Sequence, residues 1–129
     1  MSKYILDASA LLALLNSELG AEIVEALLPY SIMSTINVAE VIAELDKKLD
    51  ITPEESKEMI HTMIDQFIPF DFNQAIEVGC LRKITRKFGL SLGDRACIAL
   101  GIKLNLPVYT ADKAWEGLQI NNLDIRIIR

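Results

Sequence analysis

Short apolar runs that pass directly into helix-forming sequence, several times over, most narrow the folds open to this chain. Tyr4–Asp7 reads as a strand without polar alternation and runs straight into Ala8–Asn16, whose Ala and Leu content and lack of β-branching favour helix. Gly20 closes that first helical region, and a second helix runs to about Leu28, ended by Pro29, which cannot extend it. Ser31–Ser34 is a second short strand. Thr35 is placed to N-cap a helix carrying Val38, Val41, Ile42 and Leu45 on one face. Thr52, Pro53 and Glu55 supply the N-cap, N1 proline and N3 acid of a helix through Asp65, and Phe67–Phe70 follows as a third strand. Asn73–Phe88 reads as one long helix stopped by Gly89, and Ser91 caps another from Leu92 to Asn105. Pro107–Thr110 and Ile125–Ile128 are the last strands.

Strands this short and this uniformly apolar, separated by helices, are buried on both faces. The expected class is α/β: an α/β/α sandwich around a central, mostly parallel sheet of four to five short strands. In such sheets the reactive site lies in the crevice beyond the carboxyl ends of the strands. The 129 residues, 51% of them hydrophobic, leave room for one core and not two, and no repeat or flexible linker interrupts them, so residues 1–129 are expected to form a single domain. A domain of this size buries roughly 65–70% of the surface of its unfolded chain and needs no disulfide or structural metal. Cys80 and Cys97, set in apolar helical patterns, are expected to be buried free thiols in a reducing, cytoplasmic setting. The longest apolar run, Ala10–Leu15, falls short of the roughly 20 residues that span a bilayer, and Asp7 interrupts any signal-peptide core. A net charge of −5 excludes nucleic-acid binding by bulk positive charge, so a polyanionic substrate would need cations or local basic patches.

Four acids follow strands or open helices. Asp7 ends the first strand, with Ser9 two residues on; Glu40 sits between Ala39 and Val41 in the helix after the second; Asp94 is three residues after the capping Ser91; Asp112 is two after Thr110. If the sheet brings them together, four like charges cannot all stay ionised unless a cation offsets them. Oxygen ligands without clustered His or Cys select a hard divalent ion, Mg²⁺ or Mn²⁺. Such a site activates water and neutralises charge on a phosphate oxygen, which implies phosphodiester hydrolysis. Each acid also has a simpler explanation. Asp94 complements a helix dipole, worth about 0.3–1 kcal/mol, Asp7 caps the following helix, and Thr110 with Asp112 makes an ordinary turn. Those explanations do not account for all four falling on one edge of one sheet.

These segments resemble the PIN-domain ribonucleases, and among them the toxins of VapBC toxin–antitoxin pairs. The resemblance runs through Tyr4–Leu12, through Ser34–Val41, through Leu90–Leu100 and through Val108–Trp115, in that order and over nearly the whole length. It implies that Asp7, Glu40, Asp94 and Asp112 hold one or two Mg²⁺ or Mn²⁺ ions, with Ser9 and Thr110 as hydroxyl support. Asp7 and Asp94 would be direct ligands, and Glu40 would bind directly, through water, or by orienting the attacking water. It further implies an RNA substrate, a cognate VapB-like antitoxin and a homodimer. The Leu11, Leu12, Leu14, Leu15 cluster and the Val24, Leu27, Leu28 face are open either to a partner or to packing on the sheet. Two alternatives stay beside this reading: a PIN nuclease of RNA processing without an antitoxin, and a non-catalytic domain that only holds metal or a partner.

The remaining candidates are basic or aromatic. Arg82, Lys83, Arg86 and Lys87 form i,i+4 pairs, and Arg95 and Lys113 adjoin the acids, so each is either a phosphate contact or a solvated charge. His61 and Asp65 have helical metal-ligand spacing but read as solvated surface, and Trp115 is either a base-stacking ring or partly buried over the sheet edge.

Overall fold

The computed structural model describes residues 2–48 and 50–129. Strands β1 (Tyr4–Leu6), β2 (Ser31–Ser34), β3 (Gln66–Ile68), β4 (Val108–Thr110) and β5 (Ile125–Ile127) form one sheet in the order β3-β2-β1-β4-β5, every pair parallel. Because successive side chains point to opposite faces, Ile5, Ile32 and Val108 enter one core and Leu6 and Met33 the other. Helices α1 (Ala8–Leu15), α2 (Ala21–Leu27), α3 (Thr35–Lys48) and α4 (Pro53–Met63) contribute Leu11, Val24, Val41 and Ile60 to the second of these cores. Helix α7 (Leu92–Leu104) covers the first with Cys97, Ile98 and Leu100, and α5 (Phe72–Cys80) packs outside it through Val78 against Ala96 and Ala99. Gly101 lets α7 lie against β4, since a Cβ there would overlap the Val108 side chain. This is the expected α/β/α arrangement. No helix among the described residues is long and apolar enough to cross a membrane.

Beginning at the centre, the chain lays β2 and β3 on one side of β1, then returns to lay β4 and β5 on the other. The strand order therefore reverses between β1 and β4, and the crevice is expected beyond their carboxyl ends. The β4 to β5 connection carries only a 3₁₀ turn, Lys113–Trp115. Trp115, 1% exposed, packs from it into the α7-side core, with Leu118, Ile120 and Leu123 partly buried beside it.

Several expectations change. Asn73–Phe88 is not one helix but α5, a short α6 (Arg82–Thr85) and a 3₁₀ turn, Arg86–Phe88. The break falls where the Val78 carbonyl accepts Nη1 of Arg95 at 3.1 Å and the Leu81 N–H at 3.2 Å, where an unbroken helix would give it to residue 82. Thr35 lies inside α3 instead of capping it. Ser34 Oγ accepts the Ile36 N–H at 3.3 Å, and Thr35 Oγ1 accepts the Phe70 N–H at 3.0 Å, fastening the segment after β3. Cys97 is buried but Cys80 is exposed, because α5 buries the i,i+4 stripe of Gln74 and Val78 and turns Cys80 outward. Leu11 and Val24 are fully buried, and Leu12, Leu14, Leu15, Leu27 and Leu28, partly buried, pack against the same core.

Candidate active site

Asp7 follows β1 and is the N-cap of α1, its Oδ1 accepting the Ala10 N–H at 2.8 Å. Capping is only part of its role. Ser9 Oγ donates to Oδ1 at 2.8 Å, and Thr110 Oγ1, from the end of β4, donates to Oδ2 at 2.6 Å. The two hydroxyls also accept backbone N–H groups, Ser9 from Ala111 at 2.9 Å and Thr110 from Asp112 at 3.0 Å. Ser9 and Thr110 thus tie the strand ends at the switch point to one carboxylate and set Asp112 beside it. Asp112 in turn N-caps the 3₁₀ turn through the Ala114 N–H at 2.9 Å.

Asp94 and Glu40 arrive from the helices. Asp94 is the N3 residue of a capping box, accepting the Ser91 N–H at 2.9 Å while its own N–H bonds Ser91 Oγ at 3.2 Å. Glu40 projects from α3 and accepts Nδ2 of Asn37 at 2.8 Å; the same nitrogen reaches the Gly93 carbonyl at 3.1 Å. All four acids line one open cavity of about 400 Å³, with Ser9, Leu12 and Glu44 also in its wall. The simpler explanations of Asp7, Asp94 and Asp112 as caps hold, and so does their convergence.

The electrostatics follow from burial. Asp7 is 2% exposed, and loss of solvent pushes its carboxyl up to about 7 despite the hydrogen bonds from Thr110, Ala10 and Ser9, with Asp94 adding repulsion. Burial likewise raises Asp94, against its bonds to Ser91 and with repulsion from Asp112, and raises Glu40 against its bond from Asn37. Beneath them burial drives the Cys97 thiol well above its usual range, with Asp7, Asp94 and Glu40 adding to the effect, which makes it inert.

This donor set fits a hard divalent cation. It offers only oxygens, no Lys, Arg or His is among the residues in the cavity wall, and a buried carboxylate as uncompensated as Asp7 is the kind of group a cation stabilises in its charged form. Among the described residues no three of His, Cys, Asp or Glu already stand in a coordination shell; the acids ring the cavity without meeting at a point.

The basic candidates lie apart from this wall. Arg82, Arg86 and Lys113 are exposed, while Arg95 has its guanidinium on the Val78 carbonyl at 3.1 Å. Replacing Arg95 by Ala is therefore expected to lower stability by about 1.5–3 kcal/mol, the worth of a hydrogen bond with a charged partner, in a urea titration. Trp115 is buried, which removes it as a base-stacking ring, and His61 is exposed and stacked on Phe67 at 6.2 Å, away from the acids. Sequence reasoning missed Asn37, Gly93 and Glu44. Asn37 was legible: with Val41 and Leu45 it forms the i, i+4, i+8 stripe that α3 buries, so an amide stands where an apolar side chain belongs. Glu44 is one helical turn beyond Glu40 on the same face. Gly93 carried no signal of its own.

The sequence matches the PIN domain family over residues 4–120. Among solved structures, a chain of the DNA-bound VapBC complex from Salmonella typhimurium is similar at 20% identity and TM-score 0.71, covering 100% of both chains. A toxin–antitoxin complex from Klebsiella pneumoniae matches at 22% identity and TM-score 0.70, covering 94% of this chain and 95% of that one. VapBC-1 from nontypeable Haemophilus influenzae matches at 22% identity and TM-score 0.67, with 96% of each chain covered. Among curated protein sequences none matches. These likenesses show a shared fold, and with a family match spanning most of its length the chain belongs to the PIN domain family.

Proposed function

We propose that residues 1–129 form a single PIN domain acting as a Mg²⁺- or Mn²⁺-dependent endoribonuclease, the toxin of a VapBC-type pair, in the cytoplasm. The observation that carries this is the convergence of Asp7, Glu40, Asp94 and Asp112 on one cavity at the sheet's switch point. The VapBC complexes among its structural neighbours support a cognate antitoxin as partner, and a homodimer belongs to the same reading. Asp7 and Asp94 would hold one or two ions, with Asp112 and Glu40 completing the oxygen set. When bound, the cation supplies positive charge against the developing phosphate oxyanion and acidifies an attacking water. The chain's own part is positional. Ser9 and Thr110 fix both oxygens of Asp7, the Ser91 box fixes Asp94, and Glu40 is left to orient the nucleophile or take its proton. Phosphates away from the cut would meet the exposed Arg82, Arg86 and Lys113; Arg95, half-buried, would reach them only beside its bond to Val78.

The test is cleavage of a structured RNA mixture by antitoxin-free protein in EDTA, Mg²⁺ and Mn²⁺, beside Asp94→Asn. An Asn still accepts the Ser91 N–H through its amide oxygen, so α7 keeps its cap and any loss reports on the carboxylate. Metal-dependent cutting that Asp94→Asn reduces more than about 100-fold is expected. Folded protein that cuts no RNA in either metal would favour the metal- or partner-holding domain, and metal-dependent cutting by a chain that copurifies with no product of an adjacent small reading frame when the two are coexpressed would favour RNA processing.

A further inference from the structure

The Glu40 carboxylate rests against α7 at a point where only glycine leaves room. A Cβ on Gly93 would overlap all three atoms of that carboxylate. Asn37, one turn earlier on α3 and 1% exposed, spends its amide nitrogen on two acceptors at once: Glu40 Oε1 at 2.8 Å and the Gly93 carbonyl at 3.1 Å. Its Oδ1 is buried with no partner. The amide orientation is nevertheless fixed, because a flip would set Oδ1 against two oxygens that can only accept. One side chain therefore joins the acid of α3 to the backbone of α7 immediately before Asp94.

We propose that Asn37 and Gly93 are positioning residues for Glu40, clamping its carboxylate at a fixed distance from Asp94 so that both face one bound cation. This rests on the metal-dependent nuclease reading. Neither residue touches substrate. Asn37 acts by holding one oxygen of Glu40, which leaves the other to the cavity, and Gly93 acts by leaving space. An unclamped Glu40 on an otherwise unchanged helix would sample other rotamers, and the oxygen set would open.

The experiment measures RNA cleavage and, separately, Mn²⁺ binding by the electron paramagnetic resonance of the free ion, for the full chain, Asn37→Ala, Gly93→Ala, Glu40→Gln and both Glu40→Gln double variants. Each positioning variant alone is expected to lose about 10- to 100-fold in cleavage and a comparable factor in Mn²⁺ affinity. Added to Glu40→Gln, either should cost less than about 3-fold more, since residues that act through one another do not add. Thermal unfolding runs alongside. Gly93→Ala introduces a better helix former, so it keeps the test open if Asn37→Ala does not fold. Variants that bind Mn²⁺ and cleave like the parent, or losses that multiply with that of Glu40→Gln, overturn the proposal while the nuclease stands. A parent protein that neither binds Mn²⁺ nor cuts RNA overturns both.

Discussion

Asp7→Asn should abolish metal-dependent RNA cleavage, by more than about 100-fold, and yield a protein at least as stable as the parent in EDTA at neutral pH. The fold survives because every bond of the Asp7 carboxylate has a counterpart in the amide. An Asn keeps an oxygen for the Ala10 N–H, and its nitrogen can donate to Ser9 Oγ or Thr110 Oγ1, whose protons are free to rotate. What is lost is the charge. In the parent that charge sits 2% exposed among Glu40, Asp94 and Asp112, an arrangement that favours a cation and is otherwise unfavourable. Binding and stability should therefore move in opposite directions: weaker Mn²⁺ binding, equal or higher resistance to urea without metal. A variant that cleaves as the parent does removes Asp7 from the mechanism; one that loses cleavage only by unfolding removes the argument for its isosteric replacement.

The parts of this fold that were legible in the sequence are those where local chemistry and tertiary packing agree. The capping boxes at Thr52 and Ser91, the β1-to-α1 passage and the unalternating strands all state locally what the sheet requires. The four acids were legible because the position of a carboxyl end is a property of topology, and each acid is tied by sequence to such an end or to a helix start. Where the reading failed, a distant residue decided. The Asn73–Phe88 helix breaks at Leu81, where Arg95, seventeen residues beyond Val78, takes its carbonyl. Thr35 gives its hydroxyl oxygen to Phe70, thirty-five residues away, and leaves capping to Ser34. Gly93 was invisible for the same reason: its value lies in the space it leaves for a side chain of another helix. Cys80 shows a different limit, since an apolar-looking helical pattern does not say which stripe faces inward once Gln74 belongs to the buried one.

Metal-free protein should lose stability as pH rises from about 4 to 7.5, the reverse of ordinary acid denaturation, and Asp7 should account for most of that slope. Its carboxyl titrates near 7 in the folded protein against 3.8 as the unperturbed value. Below both values it is protonated in either state and contributes nothing. Between them the unfolded chain releases its proton while the folded protein keeps it, so each rise in pH favours unfolding. Above about 7 both states are ionised and the full penalty, on the order of 4 kcal/mol, is present. Glu40 and Asp94, raised chiefly by burial, act in the same direction. Other titrating groups contribute too, so the informative quantity is the difference between parent and Asp7→Asn in urea titrations across this range with EDTA. That difference should be small near pH 4 and grow toward pH 7.5 in favour of the variant. Mg²⁺ or Mn²⁺ should shrink it, because an ion that binds only the folded, ionised site stabilises the parent by mass action. Parallel curves with and without metal would mean that Asp7 ionises as readily folded as unfolded, and that the cavity does not concentrate the charge on which the cation site depends.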